Sequence, residues 1–186
     1  MIEAQVPIAL VLSDKPCDGL KHAQAAGIPT VTVNRREYGY QPGCGEHWNR
    51  RGFTAAVQGL LDRSKIDYVA MAGFFTILHA DIFKRYGGRI LNIHPTLLPA
   101  FPGATAVADA LRAGAQVTGT TIHMATPTVD DASYIVRQAK VAIVPGDTVD
   151  GLWERIKQVE RQLYPEVLQQ IVAGVIKPEE LWRSAS

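Results

Sequence analysis

The sequence predicts an α/β protein: an open, mostly parallel, Rossmann-like sheet with helices on both faces, finished on its C-terminal side by an antiparallel edge hairpin and a helix. Three observations predict it. "VPIALVLSD" (6–14) is a nearly continuous apolar run, the pattern of a strand buried on both faces. Short apolar runs then alternate with helical stretches through residue 113. Finally, Leu152, Ile156, Val159 and Leu163 repeat at helical spacing after two adjacent strand-like segments.

"CDGLKHAQAAG" (17–27) reads as a short helix ended by Gly27, and "IPTVTV" (28–33) as a second strand. This β-α-β order implies a parallel pair with a right-handed crossover. "NRREYGYQPGCGEHWN" (34–49) is polar, with three glycines and a proline, and reads as a loop. A helix over about 50–63 leads to "IDYVAMAGF" (66–74), a third buried strand. "ADIFKRYGG" (80–88) is another helix and "RILNIHP" (89–95) a fourth strand. After a proline-rich loop and a helix over about 105–113, "VTGTTIHMAT" (117–126) and "SYIVRQAKVAIV" (133–144) form two consecutive, antiparallel strands. Asp147 or Thr148 caps the last helix.

A chain of 186 residues has room for one domain with a full core, spanning 1–186. A net charge of +1 gives no reason to expect a nucleic-acid or acidic-membrane partner. Cys17 and Cys44 lack metal-ligand spacing and suit a reducing cytosol. No apolar stretch approaches the roughly 18 residues of a membrane span, and the first apolar run has no basic segment before it. The expectation is a soluble, cytoplasmic domain without a metal, acting on small molecules.

In an open α/β sheet, ligands bind beyond the carboxyl ends of the parallel strands. "LNIHPTLLPAFPG" (91–103) leaves the fourth strand there, carrying Asn92 and His94. Two residues apart in an extended segment, they point to the same side, and Pro95, Pro99 and Pro102 stiffen the exit loop. A lone histidine at a strand end is usually a surface or hydrogen-bonded structural residue. An amide with an imidazole, however, can donate to an oxygen that gains negative charge in acyl transfer, an effect worth about 3–4 kcal/mol per donor. The imidazole can also move protons.

"LNIHPTLLPAFPG" closely resembles the signature of the folate-dependent formyltransferases of the phosphoribosylglycinamide type. "VAMAGFFTIL" (69–78), "GTTIHM" (119–124), "VPGDT" (144–148) and "ERQLYPEVL" (160–168) resemble that family in the same order, so the similarity runs from about residue 7 to about 175. It implies formyl transfer from 10-formyltetrahydrofolate to the amine of glycinamide ribonucleotide, without a metal. It also implies that Asn92 and His94 belong to a catalytic set completed by an aspartate. In "TVDDASYIVRQAK", counting back from "RQAK" selects Asp131 and counting forward from His123 selects Asp130; the register of "DASYIV" favours Asp131. Arg50, or its neighbour Arg51, matches an arginine near the substrate phosphate, and Glu160 a glutamate at the substrate ribose. Phe75, Thr76, Ile77 and Leu78 match the folate-lining segment, where the family usually has Met-Arg for Phe75 and Thr76. His123 is expected to pack or hydrogen-bond within the hairpin.

The sequence departs from the family at its start. There the family has a strand, a phosphate-cradling loop and a helix ahead of the strand corresponding to residues 6–12. The expectation is an N-terminally shortened formyltransferase-like domain with three ways to cover the exposed sheet: an inward shift of the second strand, a neighbouring chain as in a homodimer, or an earlier natural start. Two further functions stay open beside the ribotide formyltransferase: a non-catalytic paralogue binding folate or a partner, and formyl transfer to another amine or formylfolate hydrolysis.

Overall fold

The computed structural model describes residues 1–184. The chain divides into two compact units. One comprises residues 2–68 and 73–86; the other contains Val69–Ala72 and the chain from Gly87 onward, together with Met1.

In the first unit β1 (Val11–Ser13) and β2 (Thr30–Thr32) pair in parallel, with Val11 opposite Thr30, and α1 (Asp18–Ala25) connects them. The apolar run 6–14 is therefore a much shorter strand than expected, and it is not buried on both faces. Pro7 has no N–H for a ladder, and Ile2, Pro7 and Ala9 are exposed. Gly27, at φ +71°, ends α1 as expected; Ile28 N–H then donates to the Ala23 carbonyl at 2.9 Å. The segment 34–49 is more than a loop. It opens with a 3-10 turn (Arg35–Tyr38), and Tyr38, Tyr40 and Trp48 join Phe53 in an aromatic cluster of edge-on and tilted contacts with centroids 5.5–5.7 Å apart. Phe53 belongs to α2 (Arg50–Arg63), which buries Phe53, Thr54, Val57 and Leu61 and starts from an Asn49 cap on Gly52 N–H. A 3-10 turn (Ala80–Ile82) and α3 (Phe83–Tyr86) complete this unit.

The second unit is built on a four-stranded sheet in the order β3 (Val69–Met71), β4 (Ile90–His94), β5 (Val117–Met124), β6 (Ile135–Ala142). β3 and β4 are parallel; β5 runs antiparallel to both β4 and β6, as the hairpin reading anticipated. Strand pairing among the described residues is thus evenly mixed rather than mostly parallel, and lies in two sheets. α4 (Ala106–Arg112) buries Ala106, Val107 and Ala110. α5 (Val149–Val172) is capped by Thr148, whose hydroxyl accepts from Gly151 N–H; Asp147, the other candidate, instead pairs with Arg155. Leu152 and Ile156 are fully buried and pack with Val107 and Val141, and Val159 flanks them. Each such side chain contributes about 1.5–3 kcal/mol. The fully buried Tyr164 hydroxyl donates to the Leu91 carbonyl at 3.1 Å, tying α5 to β4. A short helix, α6 (Pro178–Ser184), follows; it was not expected from the sequence. No helix among the described residues is long and apolar enough to cross a membrane.

Candidate active site

β4 lies between β3 and β5, so its backbone is paired on both sides and its register is fixed. Asn92 and His94 share one face of it. Opposite them on β5 stand His123 and Thr121, respectively. His94 is 4% exposed. Its Nε2 lies 2.9 Å from the Phe101 carbonyl oxygen and its Nδ1 3.4 Å from Asp130 Oδ1. Both partners are acceptors, so only the doubly protonated ring satisfies both contacts. Burial pushes the His94 pKa down, but the hydrogen bonds to Asp130 and to the Phe101 carbonyl, with the negative charges of Asp130 and Glu160, more than offset it; the net shift is upward.

The carboxylate facing His94 is that of Asp130, not of Asp131, which the sequence register favoured. Asp130 Oδ2 also accepts from Gly103 N–H at 2.7 Å. Its pKa is raised by burial but lowered more by the hydrogen bonds from His94 and Gly103 N–H and by the His94 charge, and ends below the usual value. Asp131 instead accepts from Ser133 N–H at 2.8 Å and from the Thr126 hydroxyl at 3.1 Å, closing the 3-10 turn Ala132–Tyr134. A carboxylate one residue later is committed to its own backbone. Asp130 and Phe101 are both non-glycine residues in the left-handed region, each with φ +52°. Such backbone costs about 1–3 kcal/mol and clusters at functional sites. Here both cases supply a His94 partner.

The loop after β4 is held by side chains that reasoning from the sequence did not single out. Thr121 Oγ1 donates to the Thr96 carbonyl and accepts from Leu98 N–H and Gln138 Nε2, at 2.7–3.0 Å. Thr120 Oγ1 lies 3.1 Å from both the His94 carbonyl and Glu160 Oε1, bringing Glu160 of α5 into the same group. Burial raises the Glu160 pKa against the opposing pull of Thr120 and His94. The consecutive polar residues of "GTTIH" on a buried strand were the available signal, since such positions are ordinarily apolar.

The remaining predicted residues belong to the other unit. Arg50 heads α2, with Nη1 3.3 Å from Glu46 and a buried Nε that has no partner among the described residues. Arg51 is largely exposed and pairs with Asp81 at 2.9 Å. In the 75–78 segment, Phe75 is 72% and Ile77 47% exposed, and Leu78 is half-buried. Thr76 is buried; its hydroxyl donates to Asp14 and accepts from Arg35 Nη1 at 2.7 Å, and Arg35 pairs with Asp14 at 3.1 Å. Among the described residues, no group of His, Cys, Asp and Glu is placed to hold a metal ion.

The formyl transferase family profile matches residues 2–168. The chain belongs to this family. Within it, the chain is 34% identical to the phosphoribosylglycinamide formyltransferase of Bacillus subtilis (strain 168), over 88% of this chain and 80% of that one. It is 39% identical to the trifunctional purine biosynthetic protein adenosine-3 of Gallus gallus, over 93% of this chain but only 16% of that much longer protein. The structure is similar to that of glycinamide ribonucleotide transformylase 1 from Symbiobacterium toebii, with a TM-score of 0.82 and 35% identity, covering 93% of this chain and 78% of that one. The chain is therefore a phosphoribosylglycinamide formyltransferase family member with the α/β formyltransferase fold; Asn92 and His94 lie on β4, and Asp130 reaches His94 from the turn between β5 and β6.

Proposed function

We propose that the chain transfers the formyl group of 10-formyltetrahydrofolate to the amine of glycinamide ribonucleotide, in purine biosynthesis. The observation that carries this reading is the buried His94 ring held against Asp130 Oδ1 at 3.4 Å, on the same strand face as Asn92, in a member of this family. The acceptor amine attacks the formyl carbon, a C–N bond forms, and the carbonyl oxygen takes up negative charge. Asn92 Nδ2 and the charged His94 donate to that oxygen, with the substrate oxygen replacing the neutral Phe101 carbonyl at Nε2. Asp130 keeps the imidazole charged and oriented. As the bond to the folate nitrogen breaks, the amine proton passes to that nitrogen by way of the His94–Asp130 pair, so the reaction balances without an oxidant or reductant.

The Arg50 guanidinium suits an anionic substrate group, Glu160 a ribose hydroxyl, and exposed Phe75 and Ile77 the flat face of a folate ring. Thr76 serves as support, because its hydroxyl is already committed to Asp14. The reading treats 1–186 as one functional domain, supported by a family match that runs through both compact units. A cytoplasmic location belongs to it, and free Cys17 and Cys44 suit one.

The test is an absorbance assay for loss of 10-formyltetrahydrofolate, with and without glycinamide ribonucleotide, on wild type and His94→Ala. Turnover that requires the ribotide and is lost in the variant supports the proposal. Turnover without any acceptor would identify a hydrolase, and none at all in the wild type would sink the enzyme reading.

A further inference from the structure

We infer that His123 is a positioning residue for Asn92, accepting a hydrogen bond from one Nδ2 proton so that the other is aimed at the reacting oxygen. This rests on the formyl-transfer reading. His123 is directly opposite Asn92 in the β4–β5 ladder, where facing side chains are close enough to interact. Its Nε2 lies 3.2 Å from Asn92 Nδ2, and its Nδ1 3.2 Å from the Met124 carbonyl. A carbonyl can only accept, so Nδ1 carries the proton. In the neutral ring Nε2 is then a lone pair, and only the NH₂ side of the Asn92 amide can meet it. Without this contact the two ends of the amide are nearly isosteric, and a turned amide would present an acceptor to an oxyanion.

Three observations keep His123 neutral. The side chain is 2% exposed, and burial is the main cause that lowers its pKa. The charge of His94 adds to that lowering, against the pull of Asp130, the Met124 carbonyl and Asp131, and the net shift is downward. Asp130, which lies near both rings, is closer to His94 than to His123, at 3.4 Å against 3.9 Å. The β5–β6 register also shifts between Ile122 and His123, an irregularity of the kind that re-aims a side chain next to a functional site. His123 is thus the uncharged member of a pair of histidines around one carboxylate.

The experiment compares steady-state kinetics of His123→Leu and His123→Gln, each alone and with Asn92→Ala. Leucine removes the acceptor; glutamine restores one at about the Nε2 position. The expected result is a kcat about 10- to 100-fold lower for His123→Leu, with KM for both substrates little changed, and most of the loss recovered in His123→Gln. In the Asn92→Ala background, His123→Leu should cost under about 2-fold, because the residue it serves is already gone. Equal losses in both backgrounds, or full activity in His123→Leu, overturn the inference. The ¹⁵N resonances of the wild-type imidazole give a reading independent of turnover and of any variant's folding. Protonated Nδ1 and bare Nε2 near neutral pH support the assignment even if the wild type proves inactive, which would count against formyl transfer alone. A proton on Nε2 overturns it.

Discussion

Asp130 Oδ1 lies 3.4 Å from His94 Nδ1, and both side chains are more than nine-tenths buried. The neighbouring Asp131 carboxylate is spent on Ser133 N–H and Thr126. Two adjacent aspartates therefore make opposite predictions. Asp130→Asn removes the charge that holds the imidazole protonated and should lower kcat by about 10²- to 10⁴-fold. Asp131→Asn keeps a side-chain acceptor for Ser133 N–H and should change kcat only a few-fold, with a stability loss of about 1 kcal/mol or less. Parallel kinetics of the two variants decide the matter; a larger loss in Asp131→Asn would reverse the assignment.

The same pair predicts a window of pH. The His94 pKa is raised, so its contribution to stability is complete below the ordinary histidine value and is lost as pH rises through the folded value above it. The Asp130 pKa is lowered, so its contribution is present above the ordinary carboxylate value and disappears as pH falls through the folded value below it. Together they stabilise the fold most between about pH 4 and 6.5. His123 opposes them on the acid side: its lowered pKa means that the unfolded chain takes up a proton first, which costs stability as pH falls through the ordinary histidine value. Urea titrations of wild type and Asp130→Asn from pH 4 to 9 should show a difference in stability that shrinks toward the alkaline end. A difference independent of pH would mean that the pair is not ionised as described.

The features legible in the sequence were patterns that a single segment carries. The apolar stripe of α5, the strand β4 and the pair Asn92–His94 at alternate positions are local, and so could be read. The choice between Asp130 and Asp131 could not, because φ +52° at Asp130 turns one carboxylate toward His94 and the next toward its own backbone. His123 was set aside for the same kind of reason. Its partner is known only once β5 is registered against β4, and the shift at Ile122/His123 is invisible to a pattern of period two. The run 6–14 has the hydrophobicity of a doubly buried strand without forming one, since hydrophobicity alone does not report the missing N–H of Pro7 or the exposure of Ala9.

Gly119 in β5 offers a test of how tightly that sheet is built. A Cβ at this position would lie 2.0 Å from the Ala139 carbonyl oxygen and 2.7 Å from Leu97 Cδ2. Backbone cannot give way as a flexible side chain can, so Gly119→Ala should cost about 3 kcal/mol or more, through separation of β5 from β6. Urea unfolding measures it. A cost below about 1 kcal/mol would show that the strands are spaced more widely than described.

Two threonines three residues apart on β5 make the sharpest contrast. Thr121 Oγ1 serves the Thr96 carbonyl, Leu98 N–H and Gln138 Nε2, and so anchors the loop that presents the Phe101 carbonyl to His94 and Gly103 N–H to Asp130. Thr121→Val keeps the shape but strands the buried Thr96 carbonyl and Leu98 N–H, at about 2–4 kcal/mol. The released loop should lower kcat as well. Thr118 is equally buried, yet its Oγ1 has no hydrogen-bond partner among the described residues. Thr118→Val removes a desolvated hydroxyl that gains nothing in return, and should leave kcat unchanged while stabilising the fold by up to about 1 kcal/mol. Thermal unfolding of both variants, with activity measured at the same temperature, separates the two roles. If the valines behaved alike, the hydrogen bonds of Thr121 would not be what holds the loop.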